Sequence, residues 1–207
     1  MDIPFIILTI VCAYVIGSFP SAYIAGRIWK GIDIRQTGSR NMGAMNVFYK
    51  VGFRQGLLVL ALDIGKGAAA VALAKFLGVP EIGLILAGIA AVLGHVFSIF
   101  LKFRGGTGGA TSIGVCVFLM PWSIPFILVV FIICLLLTRY PTLSYSVAFI
   151  CFPFVGWLIY HKWELAVLSL GLLMLILVRY IPRIREMRTK AGGWRHVFLR
   201  KGIKDRL

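Results

Sequence analysis

Residues 82–111 read IGLILAGIAAVLGHVFSIFLKFRGGTGGAT. The first part, 82–100, is apolar and has the length of a membrane helix, which needs about 20 mostly apolar residues. It carries His95 near its end and then runs into Lys102, Arg104 and the glycines Gly105, Gly106, Gly108 and Gly109. A chain that only spans a bilayer does not need such a run. Glycine lets the backbone approach a ligand closely and turn N–H groups toward an anion. Arginine and lysine beside it supply charge for a phosphate. The combination recurs in Gly38-Ser39-Arg40-Asn41-Met42-Gly43-Ala44-Met45-Asn46. Two such runs at membrane boundaries indicate chemistry on a phosphorylated substrate at a bilayer surface.

Composition sets the same frame. The 207 residues are 60% hydrophobic, with a mean hydropathy of +0.94. That excludes an ordinary soluble domain and indicates a polytopic membrane protein. The formal net charge of +15 fits basic cytoplasmic loops and attraction for anionic lipids or substrates. The apolar content argues against a nucleic-acid partner. Cys12, Cys116, Cys134 and Cys151 sit in apolar runs without metal-ligand spacing and read as packing residues. Asp2 stands where a secretory signal would carry basic residues, so the first apolar run is expected to be a retained helix.

The apolar runs predict spans over 3–28, 55–77, 82–100, 110–120, 122–138, 143–160 and 164–178. The fold class is therefore an all-α polytopic membrane protein of about seven transmembrane helices. The run 110–120 is short. Pairing it with its successor as one re-entrant unit gives five crossings instead. Lys30, Arg35, Arg40, Lys50 and Arg54 put the first loop inside, as do Lys102 and Arg104 for the loop after the third span. Arg183, Arg185, Arg188 and Lys190 put the end of the chain inside. The N-terminus is then outside, the C-terminus cytoplasmic, and both glycine-rich loops face the cytoplasm. Residues 1–182 read as the membrane domain. Residues 183–207 read as a basic tail in which Trp194, Val197, Phe198 and Ile203 could line an amphipathic helix on anionic lipid.

Few side chains in the spans could carry chemistry. Asp63 and Lys66 lie one helical turn apart, so they share a face. They read either as a structural ion pair or as a lysine aimed at a substrate phosphate and oriented by the aspartate. His95 could pack, hydrogen-bond a phosphate or polarise a carbonyl. Ser18 and Arg27 flank the exit of the first span. No Walker loop, nucleophile elbow or His/Cys/carboxylate metal cluster is readable. Phosphate binding and positioning, with an already activated donor, suit such a site better than a covalent enzyme intermediate.

Over most of its length the chain resembles the bacterial PlsY family, the acyl-phosphate-dependent glycerol-3-phosphate acyltransferases. Gly17-Ser18-Phe19-Pro20, with Tyr23, Gly26 and Arg27, is similar to the first family motif. The run from Gly38 to Asn46, with Gly52, is similar to the second. Gly94-His95, then Phe103-Arg104-Gly105-Gly106-Thr107-Gly108, then Ala110-Thr111 and Gly114, is similar to the third. Asp63-Ile64-Gly65-Lys66-Gly67 matches a further stretch. The resemblance implies acyl transfer from acyl phosphate to the 1-hydroxyl of glycerol 3-phosphate, giving lysophosphatidic acid and phosphate for phospholipid synthesis. It implies no cofactor and no metal. It implies a multi-pass protein of the plasma membrane with a cytoplasmic site, and an acyl-phosphate-producing enzyme as a functional partner.

By the same resemblance Ser18, Arg27 and His95 are catalytic. Gly38, Ser39, Asn41, Gly43 and Asn46 hold glycerol 3-phosphate. His95 and the turn Gly105, Gly106, Gly108 hold the acyl phosphate, with Lys66, Arg104 and Thr107 as further substrate contacts. The pattern departs at Thr107, where the family usually has lysine. It departs again at Tyr180 and Arg183, which replace a histidine and an asparagine, and at Thr142 and Tyr145, which replace a serine pair. Thr142 and Arg183 are carried over as substrate-binding positions, Arg183 as a substitute for the missing lysine charge. The rival readings are a diverged member with another donor or acceptor, and a non-catalytic lipid-phosphate binder or transporter.

Overall fold

The computed structural model describes residues 3–191, and every regular element among them is a helix. The chain forms two compact units, divided between Leu119 and Met120. The first holds α1 (Ile3–Ser18), α2 (Ser21–Lys30), α3 (Ala44–Lys50), α4 (Phe53–Phe76), α5 (Glu81–Val96), a 3₁₀ turn (Ile99–Leu101) and α6 (Gly109–Leu119). The second holds α7 (Ser123–Thr138), α8 (Pro141–Ala148), α9 (Cys151–Leu158) and α10 (Trp163–Ala191). Among the described residues, five helical stretches are long and apolar enough to cross a membrane: Ile3–Lys30, Phe53–Phe76, Glu81–Leu101, Pro141–Leu158 and Trp163–Glu186. Gly109–Leu119 and Ser123–Thr138 are apolar but shorter.

Three expected spans are interrupted: 82–100 breaks at Phe97 and Ser98, between α5 and the 3₁₀ turn, and proline explains the other two. Pro20 has no N–H to give to the Ile16 carbonyl. Phe19 N donates to that carbonyl instead, at 3.2 Å, and the chain restarts as α2 at Ser21. Pro153 likewise cannot bond Phe149 O. Phe152 N takes that carbonyl at 3.1 Å, and α8 gives way to α9. At the other end α10 continues past Pro182 to Ala191, so the expected division at residue 182 falls inside a helix. Trp194, Val197, Phe198 and Ile203 lie outside the described residues.

Close approach of small residues builds the first unit. A core of Ala13, Ala70, Ala74, Ala87, Ala90 and Ala91 is buried among α1, α4 and α5. A side chain on Gly94 would strike the Tyr14 carbonyl of α1, and one on Gly114 would strike the Ile64 carbonyl of α4. Lipid tails are as apolar as leucine, so helices in a bilayer gain by fitting backbones together rather than by hiding large side chains. The large apolar residues accordingly point outward, among them Ile7, Leu8 and Val11 of α1. In the second unit Leu128, Ile132 and Leu136 of α7 do the same.

Candidate active site

The break between α1 and α2 frees the Phe19 carbonyl from a regular helical ladder, and Lys66 uses it. Its Nζ donates to Phe19 O at 2.9 Å and pairs with Asp63 Oδ1 at 2.8 Å. Ser21 Oγ, at the first position of α2, donates to the same Asp63 oxygen at 2.6 Å. Asp63 is 0% and Lys66 7% exposed. A buried ion pair is tolerated when further hydrogen bonds support it; here Ser21 and the Phe19 carbonyl supply two, while Asp63 Oδ2 accepts none. The pair therefore bolts α4 to the α1–α2 break.

His95 lies across from this pair. Its Nδ1 is 3.7 Å from Asp63 Oδ1, and the residue is buried. The glycine run folds back over it: Gly105 N donates to Val96 O at 3.0 Å and Gly106 N to His95 O at 3.1 Å. Only glycine fits at Gly106, where a Cβ would overlap both His95 Nε2 and the Met42 carbonyl. The second and third glycine-rich runs thus meet at the Nε2 side of His95. The N–H groups of Gly105 and Gly106 serve this fold-back, so they are not turned toward an anion. The next part of the run begins a helix. Gly108 adopts φ +88° and α6 starts at Gly109. Ser112 N bonds Gly108 O at 2.8 Å. The N–H groups ahead of it form a helix N-terminus, a natural place for a phosphate.

The loop before α3 is organised by Asn46. Its Nδ2 reaches the carbonyls of Ile34 (2.9 Å), Thr37 (2.9 Å) and Asn41 (3.0 Å), and its Oδ1 accepts Ser39 N at 3.2 Å. Gly38, at φ +63°, lies against Asn46 Oδ1 and the Lys50 stem. Asn46 is 3% exposed, so its side chain acts on the loop rather than on solvent. Ser39 Oγ accepts Asn41 N at 3.4 Å.

A second polar cluster closes the start of this loop. Asp33 accepts Arg35 Nε at 3.0 Å and Nη2 at 2.8 Å, and Arg27 Nη2 is 3.6 Å away. Both guanidinium groups lie over the Tyr23 ring, Arg27 at 5.2 Å and Arg35 at 4.9 Å from its centroid. Arg27 Nε also donates to Tyr23 OH at 3.1 Å. The hydrogen-bonded Arg35 guanidinium holds the Asp33 carboxyl below its ordinary value of 3.8, against the opposing effect of burial. Arg27 keeps 47% of its side chain exposed, so it can still reach a ligand.

The first unit thus gathers most of the expected site. Arg104 is exposed and Thr107 half-buried on the glycine run. Gly43 caps α3 and Asn41 packs beside it. Ser18 is different: it is fully buried between α1 and α5, its carbonyl accepts Ser98 Oγ at 2.6 Å, and its own Oγ has no hydrogen-bond partner. Thr142 and Arg183 belong to the second unit. There the Thr142 carbonyl accepts Ser146 Oγ at 2.9 Å, and Arg183 Nη1 bonds Glu186 at 2.9 Å. Their assignment to substrate rests on the resemblance alone.

The family model described as glycerol-3-phosphate acyltransferase matches residues 7–190. The chain belongs to the glycerol-3-phosphate acyltransferase family. It is an acyltransferase of the integral-membrane, PlsY-like kind. The chain is 48% identical to glycerol-3-phosphate acyltransferase 2 of Dehalococcoides mccartyi (strain ATCC BAA-2266 / KCTC 15142 / 195) over 205 residues, 98% of this chain and 97% of that one. It is 42% identical to glycerol-3-phosphate acyltransferase of Bacillus subtilis (strain 168) over 185 residues, 89% and 95% of the two chains. The crystal structure of PlsY (YgiH) in its glycerol 3-phosphate form superimposes with a TM-score of 0.82 at 30% identity, covering 90% of this chain and 92% of that one.

Several residues of the candidate site carry no mark in the sequence. Ser21, Ser98 and Met42 act through partners 42 or more residues away or through a backbone carbonyl, and no local pattern marks them. Asp33 and Arg35 carried a signal, an acid two residues before a base, but Arg35 read only as a topology marker.

Proposed function

We propose that this chain transfers an acyl group from acyl phosphate to the 1-hydroxyl of glycerol 3-phosphate. The products are lysophosphatidic acid and inorganic phosphate, a step of phospholipid synthesis. The observation that carries the reading is the meeting of two glycine-rich runs at His95, one through Met42 and the other through Gly106. One run would hold each phosphorylated substrate. The solved PlsY forms with glycerol 3-phosphate and with lysophosphatidic acid support the acceptor and the product.

The reaction needs little from the protein beyond placement. The acceptor oxygen attacks the acyl carbonyl carbon, the bond from that carbon to the phosphate oxygen breaks, and the hydroxyl proton ends on phosphate. His95 Nε2 relays that proton. Because His95 is 4% exposed, Nε2 becomes reachable only as the turn at 105–108 yields to substrate. Arg104, Thr107 and the N-terminus of α6 hold the donor phosphate. Arg27 and the loop of Gly38, Ser39, Asn41 and Gly43 hold the acceptor. In this reading Asn46 shapes that loop, and Ser18 and Lys66 support the site from behind it. An apolar groove of about 500 Å³, lined by Val15, Phe19, Leu62, Gly65, Lys66 and Phe100, suits the acyl chain.

The membrane arrangement belongs to the same proposal. Counting the two shorter apolar helices with the five long ones gives seven crossings, with the N-terminus outside and the C-terminus cytoplasmic. The site then faces the cytoplasm at the plasma membrane, where an acyl-phosphate-producing enzyme would supply the donor and anionic lipid would attract the basic loops.

The test uses purified protein in detergent or lipid, with palmitoyl phosphate and radiolabelled glycerol 3-phosphate. Labelled lysophosphatidic acid with release of phosphate is expected, and its loss in His95→Ala. Thr107, where the resemblance anticipates lysine, favours a second reading in which the donor differs. Product from another activated acyl donor, and none from palmitoyl phosphate, would select it.

A further inference from the structure

Asp63 is a buried charged group that acyl transfer does not use, and it meets side chains of α2, α4 and α5. Its Oδ1 takes Ser21 Oγ from α2 and Lys66 Nζ from its own helix, and faces His95 Nδ1 of α5 at 3.7 Å. Its Oδ2 is buried without a hydrogen-bond partner. A buried carboxylate oxygen that accepts nothing is costly. The imidazole edge that faces this carboxylate is the Nδ1 side, while the Nε2 side faces the junction of Met42 and Gly106. Hydrogen bonds in catalytic sites are often long without substrate and tighten when it binds. A small rotation of either ring or carboxylate would close the 3.7 Å gap.

We propose that Asp63 is a positioning residue for His95. It accepts a hydrogen bond from Nδ1–H, which keeps the proton on that nitrogen and presents the Nε2 lone pair to the junction. Lys66 serves as the counter-charge that lets the carboxylate sit in the bundle. Ser21 and the Phe19 carbonyl hold the pair in register with the α1–α2 break. The arrangement follows the logic of a carboxylate that sets the tautomer of a histidine without itself reacting. The proposal rests on His95 relaying the acceptor proton, as read above.

The test reads the proton directly. Protein labelled with [15N]histidine in detergent micelles gives signals for three histidines, His95, His161 and His196, and His95→Gln assigns the relevant one. In the unmodified protein Nδ1 of His95 is expected to be protonated and Nε2 bare. The Asp63→Asn/Lys66→Met variant removes both charges together and leaves neither unpaired. It is expected to move the proton toward Nε2 and lower kcat about 100-fold, with KM for glycerol 3-phosphate within about threefold of the unmodified protein. A bare Nδ1 in the unmodified protein overturns the proposal, even if the variant does not fold. So does a folded variant with unchanged tautomer and kcat, or full activity in His95→Ala. The expected tautomer in a protein that makes no lysophosphatidic acid would instead sink the functional reading and leave the positioning role standing.

Discussion

Asp63 and Lys66 pair at 2.8 Å one turn apart on α4, with side chains 1% and 6% exposed. Neither charge faces water, and each is held by a group from the α1–α2 break. Removing one partner strands the other. Lys66→Met alone is expected to destabilise the protein by about 3–5 kcal/mol, and Asp63→Asn/Lys66→Met by clearly less. Thermal unfolding of the purified variants in detergent measures this. A single variant as stable as the parent would mean the pair does not bind α4 to the break.

Asn46 should behave as a loop organiser. Asn46→Ala removes three carbonyl partners and one N–H partner at once. Faster amide exchange is expected through residues 34–41, together with a rise of tenfold or more in KM for glycerol 3-phosphate, equivalent to about 1.4 kcal/mol or more where KM reports binding. Unchanged exchange in that loop would contradict the assignment.

Glycine substitutions should divide sharply by place. Gly106→Ala drives a methyl group into His95 Nε2 and the Met42 carbonyl, and Gly105→Ala drives one into the His95 carbonyl. Both are expected to abolish acyl transfer. Gly171→Ala in α10 meets nothing within 4 Å, and is expected to leave activity intact and add about 0.4–1 kcal/mol of stability. Activity assays and unfolding curves of the three variants check the contrast.

The Asp33 cluster predicts a pH dependence. The Arg35 guanidinium lowers the Asp33 carboxyl below 3.8. A carboxylate lowered on folding stabilises the native state above its unfolded value, and that contribution disappears as pH falls through the folded value. Asp33→Asn is therefore expected to be less stable than the parent at pH 7, with the gap narrowing once the pH drops below about 4. Unfolding temperatures of both proteins across that range test it. A gap that grows toward acid would reverse the sign.

Most helices were legible because apolar runs of membrane length carry their own signal. The interruptions were less so. Pro20 and Pro153 sit in runs that read as continuous, and only the carbonyls they leave behind show where the helix stops. The glycine-rich runs located the site, yet their role was only partly read. Gly105 and Gly106 are glycine because the chain folds back onto α5, not because their N–H groups bind an anion. Asn46 sat inside a motif that suggested a ligand, while its side chain holds the loop that carries the motif. The Asp63–Lys66 pairing was visible from its spacing. Its link to Ser21, 42 residues back, and to His95, 32 residues on, exists only once the helices are packed.

The most direct test remains the reaction itself. Purified protein in lipid is given palmitoyl phosphate and radiolabelled glycerol 3-phosphate. Labelled lysophosphatidic acid is expected, with one phosphate released per acyl group transferred and no product from His95→Ala. Folded protein that makes no lysophosphatidic acid, under conditions where the Bacillus subtilis relative does, would contradict the proposed acyl transfer.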